Sequence, residues 1–200
     1  MSTAVDFWFD PSCPWAWITS RWMLEVEKVR NVHTIFHAMS LAVLNEGRDL
    51  PDDYRAEMEK AWIGARAATG VAEVYGQEPV RSFYTALGSR YHLRKEERSI
   101  ETVKAALAEC GFDESIAKRA DKGGFDEAMR ASHHEGMDPV GQDVGTPVLH
   151  INGMALFGPV ISPAPRGEEA GQLFDGFEKM TAYPGFFELK RTRAVGPIVD

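Results

Sequence analysis

Apolar and polar positions follow two different periods along this chain. Ala4-Val5-Asp6-Phe7-Trp8-Phe9 is short, aromatic and β-branched, which predicts a strand. Asp10-Pro11-Ser12 breaks it, and Pro14 suits the first turn of a helix, where its missing N–H costs nothing. Trp15, Ile18, Trp22, Val26 and Val29 then recur every three or four residues, a stripe that one helix face buries. Arg21, Glu25, Glu27, Lys28 and Arg30 fill the other faces, and Asn31 ends the helix. Residues 32–39 predict a second strand through Val32, Ile35 and Phe36. The first forty residues thus predict a β-α-β unit, with parallel strands joined by a right-handed crossover.

After Pro51 the period is helical throughout. Segments 51–69, 78–94, 100–110 and 125–135 read as helices, with Ser99 and Asp113 as N-caps and Gly111 as a C′ stop. Strand-like alternation returns only after Gly145-Thr146-Pro147, at 148–151 and 154–157. Asn152-Gly153 between those two runs is the strongest short hairpin signal. A last amphipathic helix at about 167–180 carries Leu173, Phe177 and Met180 on one face, with a short helix expected after Pro184. The order is β-α-β, a helical block, a β-hairpin and a helix. That pattern predicts an α/β fold with one mixed sheet, made from residues 1–46 and 140–193, interrupted by an all-helical insertion at 47–139. Residues 194–200 read as a poorly ordered tail.

At 200 residues and 22.3 kDa the chain fits about one domain, and a chain of this mass buries roughly 70% of its unfolded surface. Its net charge of −8 argues against a nucleic-acid or anionic-membrane surface. No apolar run approaches the ~18 residues of a membrane span, and the start lacks the basic and apolar regions of a secretory signal. A soluble, cytoplasmic protein is the expectation. Only Cys13 and Cys110 are present, too few for a disulfide framework and in keeping with a reducing compartment.

Cys13 stands at or beside the N-cap of the first helix. Free N–H groups and the positive end of the macrodipole meet there, and both favour thiolate over thiol. Cysteines so placed reach pKa values of roughly 3.5–7.5, so a reactive nucleophile with a lowered pKa is expected at this position. The alternative is a buried cysteine acting as a small hydrophobe. Its place after Asp10-Pro11-Ser12, outside an apolar stripe, weakens that alternative. Cys110, at a helix end before Gly111, reads as a semi-buried structural residue.

The segment Phe7-Trp8-Phe9-Asp10-Pro11-Ser12-Cys13-Pro14-Trp15-Ala16-Trp17 resembles the active-site segment of DsbA-like proteins of the thioredoxin superfamily. The chain as a whole resembles the actinobacterial branch that contains mycothiol-dependent nitroreductases. Ile18-Thr19-Ser20-Arg21-Trp22, residues 39–46, residues 132–138, Gly158-Pro159 and residues 184–191 carry that resemblance over nearly the whole length. It implies a thioredoxin-like fold with a DsbA-type helical insertion, and a cis Thr146-Pro147 bond facing Cys13. It further implies a catalytic segment of Cys13, Pro14, Trp15 and Ala16, and mycothiol, or another low-molecular-weight thiol, as co-substrate.

One departure matters. The redox pattern is Cys-x-x-Cys, and here Ala16 holds the second position. A dithiol enzyme releases its mixed disulfide by attack of the second thiolate, which alanine cannot supply. Cys13 therefore works as a monothiol resolved by an external thiol, or does something other than disulfide exchange. Related CPWA sequences of the same branch favour a natural monothiol over an engineered trap.

Further candidates flank this motif. Ser12, Trp17, Thr146 and Pro147 are expected to bind the substrate or thiol, and Trp15 to offer an apolar platform. His134 is a candidate proton partner for the thiol, and Arg166 a candidate for a carboxylate. His133-His134-Glu135 does not read as a metal site, because adjacent helical residues point about 100° apart; the bland role for a histidine there is a gain from the helix C-terminus. No glycine pattern makes a phosphate loop.

The leading expectation is a thiol-dependent oxidoreductase acting on a small disulfide or electrophilic, nitroaromatic-type substrate. A non-redox enzyme resembling kappa-class glutathione transferases or hydroxychromene-carboxylate isomerases is the second reading. These use a single nucleophile, usually serine, where this chain has Cys13. A binding module without turnover is the third. An exposed insertion face would allow two chains to pair as a homodimer.

Overall fold

Strand β1 (Thr3–Phe9) occupies the interior of the sheet because it is apolar on both faces. Val5, Phe7 and Phe9 point into the main core and Trp8 into a second cluster on the opposite face. In the computed structural model, which describes residues 2–200, β1 pairs in parallel with β2 (Val32–Ala38) and antiparallel with β3 (Val148–Ile151). With β4 (Met154–Phe157) paired to β3, the order is β2-β1-β3-β4. Asn152 and Gly153 both take positive φ, 53° and 81°, the type I′ geometry that Asn-Gly favours between two strands.

Helix α1 (Pro14–Val29) is the crossover; Ile18, Trp22 and Val26 of its predicted stripe are buried, Trp15 and Val29 are half-buried, and Trp17 and Met23 join the buried face. Trp22 is wholly buried, and its Nε1 donates to Ala170 O at 3.0 Å in the last helix. Between the second and third strands come α2 (Leu41–Leu44), α3 (Asp52–Tyr75), α4 (Val80–Gly88), α5 (Ile100–Glu109), α6 (Ser115–Asp121) and α7 (Asp126–Met137). Helix α8 (Gly167–Thr181) follows the hairpin and packs on α1. The insertion shares the sheet's core: Phe9 stacks on Tyr84 of α4 with centroids 3.8 Å apart. On the far face α7 covers Trp8, whose Nε1 donates to Ser132 O at 2.9 Å.

Several predicted boundaries move. Helix α3 runs on to Tyr75, past Gly70, because that glycine is a packing residue: a Cβ there would lie 2.6 Å from the Phe125 ring. The predicted helix at 78–94 is α4 followed by a π-helical turn, Ser89–Leu93. Helix α6 is too short for its period to stand out, although its predicted cap, Asp113, does accept from Ser115 N at 2.8 Å. The helix expected after Pro184 is absent. In its place a turn, closed by Phe186 N donating to Tyr183 O, leads into extended chain.

The tail also departs from expectation, because it finds partners. Ser162 Oγ donates to Gly196 O at 3.0 Å and accepts from Ile198 N at 2.8 Å, and Val199 packs on the core. No helix among the described residues is long and apolar enough to cross a membrane.

Candidate functional site

The end of β1 and the start of α1 create the site. Cys13 is the N-cap, with extended φ and ψ of −84° and 115°, and Pro14 opens the helix. The backbone N–H groups of Trp15 and Ala16 are directed at its sulfur, as a helix N-terminus predicts. Across the site, the Cys13 thiol faces Thr146 O at 3.5 Å, and the Thr146-Pro147 bond is cis. Thr146 is held there by its own hydroxyl, which donates to Trp8 O at 2.9 Å.

The electrostatics overturn the expected low pKa. Cys13 is only 7% exposed, and burial pushes its thiol up to about 11, with the nearby Asp10 carboxylate adding to the rise. The N–H groups of Ala16 and Trp15 and the charge of Arg98 act the other way and lose. An anion in an apolar surround loses more solvation than two peptide dipoles return. The thiol is therefore protonated at neutral pH.

Three buried or half-buried residues outside the motif hold its loop. Asp10 is fully buried; one carboxylate oxygen accepts from Ser12 N at 2.7 Å and Ser12 Oγ at 2.5 Å, and the other from Leu41 N at 2.7 Å. Burial raises its pKa against those hydrogen bonds. His92, in the π-helical turn, sets Nε2 2.9 Å from Pro11 O, and burial holds it neutral, at about 4. Arg98 donates to Ser12 O at 3.3 Å and pairs with Glu57. Asp10 was legible as an Asx-type cap two residues before Ser12. His92 and Arg98 come from 81 and 86 residues away in sequence, so no local pattern announces them.

The predicted site residues separate into two groups. Cys13, Pro14, Ala16, Thr146 and Pro147 meet around the sulfur, and Ala16 is fully buried beside it. Trp15 is half-buried, with the Arg193 guanidinium 5.1 Å from its ring. Ser12 is present but its hydroxyl is committed to Asp10.

The others lie elsewhere or face inward. Trp17 is core, 2% exposed, between Tyr84 and His92, because the helical period turns it away from the surface. His134 is exposed and bonds Asp138, the C-cap of its helix, at 3.1 Å, so it does not serve the thiol. Its neighbour His133 is buried and held neutral at about 4; its Nδ1 lies 3.4 Å from Ser40 N, where a neutral ring accepts, so it gains nothing from the helix terminus. Arg166 pairs with the chain's own Asp200 at 3.0 Å, and the neighbouring Gly167 N meets Glu25, three turns along α1 from Cys13.

Cys110 lies in an open cleft of about 430 Å³ lined also by Leu24, Ser82 and Thr85. Leu24 is eleven residues along α1 from Cys13, roughly 16 Å at the helical rise. Cys110 therefore sits in a different place from the one where Cys-x-x-Cys puts its second thiol.

Among proteins of known sequence, the uncharacterized protein Rv2286c of Mycobacterium tuberculosis is 26% identical over 194 residues, covering 96% of this chain and 83% of the relative. Many solved structures share the fold, these two among them. A 2-hydroxychromene-2-carboxylate isomerase superposes with a TM-score of 0.61 at 13% identity, over 88% of this chain and 94% of its own. The probable DsbA oxidoreductase SCO1869 of Streptomyces coelicolor superposes with a TM-score of 0.58 at 15% identity, over 96% and 94%. The Rv2466c-like family model, described as mycothiol-dependent nitroreductase Rv2466c, matches residues 12–191. A DsbA-like scaffold that presents one cysteine opposite a cis-proline, matched along nearly its whole length, thus places the chain in the Rv2466c-like family of mycothiol-dependent nitroreductases.

Proposed function

We propose that the protein is a monothiol oxidoreductase that reduces small mixed disulfides through Cys13, with mycothiol or a similar low-molecular-weight thiol as the resolving partner. The observation that carries this reading is the single sulfur at the α1 N-cap, 3.5 Å from Thr146 O, with alanine in the second thiol's position. Cys13 loses its proton to solvent and attacks the substrate disulfide. The substrate S–S bond breaks, a Cys13–S–S–thiol bond forms, and the departing substrate sulfur takes up a proton. An external thiolate then attacks the outer sulfur of the adduct, forming a new disulfide and returning the electron pair to Cys13. The sum is one mixed disulfide and one thiol converted to one thiol and one symmetric disulfide.

The raised pKa of Cys13 fits the reducing direction. A thiolate that its surroundings do not stabilise is a poor leaving group, so the protein-bound disulfide is favoured over the free thiolate. Strong disulfide oxidants have the opposite arrangement, with a stabilised thiolate and a depressed pKa. The Thr146 carbonyl facing the sulfur just before β3 supports the same reading, as that backbone would align an incoming extended thiol beside Cys13. Nitroaromatic reduction is the weaker assignment for this chain, because Ala16 leaves it with one thiol at the site.

The test uses the mixed disulfide of mycothiol with cysteine and excess mycothiol, followed by mass spectrometry. Cys13→Ser should abolish turnover, while Cys110→Ser should leave it within about twofold. An active Cys13→Ser variant would sink the oxidoreductase reading and favour the non-redox chemistry for which a hydroxyl suffices. A protein that forms no mycothiol adduct on Cys13 would sink the monothiol cycle.

A further inference from the structure

Resolution of a Cys13 adduct releases a thiolate into a site that is almost closed to water, and something must carry that charge. Asp10 cannot, since it is itself a buried acid near the sulfur and raises the cost. Tyr84 and Tyr91 are held as neutral phenols by burial, and His92 as a neutral imidazole. Arg21 lies behind the site, against the Trp17 ring at 4.1 Å. One cation remains that is fastened to the loop itself. Arg98, in the stretch between the π-helical turn and α5, puts Nη2 on the carbonyl of Ser12, the residue before Cys13, and Nη1 on Glu57 of α3.

We propose that Arg98 is a positioning residue for the thiol chemistry: its guanidinium, seated on Ser12 O and partly offset by the Glu57 carboxylate, stabilises the Cys13 thiolate in both the attacking and the leaving step. The geometry suits this task. The side chain keeps about a quarter of its surface exposed, 26%, so it retains hydration and is not itself a costly buried ion. Its charge lowers the cost of ionising both Cys13 and Asp10. Because Arg98 belongs to the helical insertion, this assigns the insertion a chemical part in the site. The inference deepens the proposed monothiol reading, and its test needs neither substrate nor mycothiol.

The measurement is the rate of Cys13 alkylation by iodoacetamide on the full chain between pH 7 and 9, resolved from Cys110 by peptide mass. A neutral reagent removes any steering by the arginine. Below the pKa the thiolate fraction, and so the rate, rises tenfold per pH unit; Arg98 acts on the sulfur more weakly than the N–H groups of Ala16 and Trp15, so a fraction of a pKa unit is its share. Arg98→Gln should therefore react about three- to fivefold more slowly at every pH in this range, with the slope retained. Arg98→Lys, which keeps the charge, should stay within about 1.5-fold of the parent protein. A glutamine variant as fast as the parent overturns the proposal. So does a lysine variant as slow as glutamine, which would make the hydrogen bond to Ser12, not the charge, the operative feature.

If the glutamine variant does not fold, Glu57→Gln replaces it. That change keeps the arginine on Ser12 O and removes the anion that offsets it, so alkylation should quicken several-fold, and an equal or slower rate overturns the proposal. Failure here leaves the turnover test with Cys13→Ser untouched, and the reverse also holds.

Discussion

At the scale of single residues, the site is a balance between a helix terminus and burial. The terminus aims two N–H groups at Cys13, yet the sulfur is 7% exposed and its pKa rises to about 11. Alkylation of Cys13 should accordingly be slower at pH 7 than that of free cysteine, and unfolding in denaturant should speed it by an order of magnitude or more. Asp10, fully buried, accepts three hydrogen bonds. Asp10→Ala leaves those donors unpaired and should cost about 1–3 kcal/mol for each one that stays dry, measured by urea unfolding. His92 supplies a pH dependence of known sign. Its folded value, about 4, lies below the ordinary 6.5, so between these values the unfolded chain binds more protons. The stability that His92 contributes is thus full above pH 6.5 and is lost as the pH falls towards 4. The loss amounts to at most about 3 kcal/mol. His92→Gln, which can still donate to Pro11 O, should flatten that part of the stability–pH curve.

At the scale of elements, glycines decide how closely α4 approaches α1 and how closely α7 approaches the sheet. A Cβ on Gly88 of α4 would stand 2.3 Å from the Trp17 ring, and one on Gly136 of α7 would stand 2.4 Å from Trp8. Neither glycine has a positive φ, so backbone freedom is not the reason for it. Gly88→Ala and Gly136→Ala should each destabilise by about 1–3 kcal/mol through overpacking, despite the gain in helix propensity. Gly176 on the exposed side of α8 is the control, with nothing within 4 Å of a new Cβ. Gly176→Ala should stabilise by about 0.5–1 kcal/mol, and thermal or urea unfolding of the three variants separates packing from propensity. The same logic explains the boundaries that moved. Gly70 resembles a helix stop when read locally, and only the Phe125 ring beside it shows why a glycine stands mid-helix.

At the scale of the whole molecule, the C-terminal chain folds back along α1. Arg193 lies over Trp15, Gly196 and Ile198 meet Ser162, and Asp200 meets Arg166. Two residues expected to bind ligand are thus in contact with the chain's own tail. Ser162→Ala removes both hydrogen bonds that tie residues 196 and 198. Amide exchange at Ile198 should quicken as a result, while global stability changes by no more than about 1 kcal/mol. Equal exchange in the two proteins would mean that the serine does not hold the tail. The insertion is likewise coupled to the remainder, through the shared core and through the His92 and Arg98 contacts with the Cys13 loop.

Features that depend on short spacings were fixed locally, in the order of residues. Period-two and period-3.6 patterning placed β1, α1, β2 and the hairpin, and Asn152-Gly153 specified its turn. The Asp-Pro-Ser-Cys-Pro run put Cys13 at a helix N-cap because each residue there has a local conformational preference. Ala16 ruled out a dithiol motif in the same local way. Features that depend on distant neighbours were settled by packing. It chose which tryptophans are core and how far the thiol is buried. It sent His134 and Arg166 away from the site, and brought His92 and Arg98 to it from the insertion. A pKa depends on solvation and on charges a few ångströms away; of the groups that set both here Asp10 is local, while His92, Arg98 and Thr146 arrive from distant parts of the sequence. Local pattern therefore located the sulfur, and packing set its proton affinity.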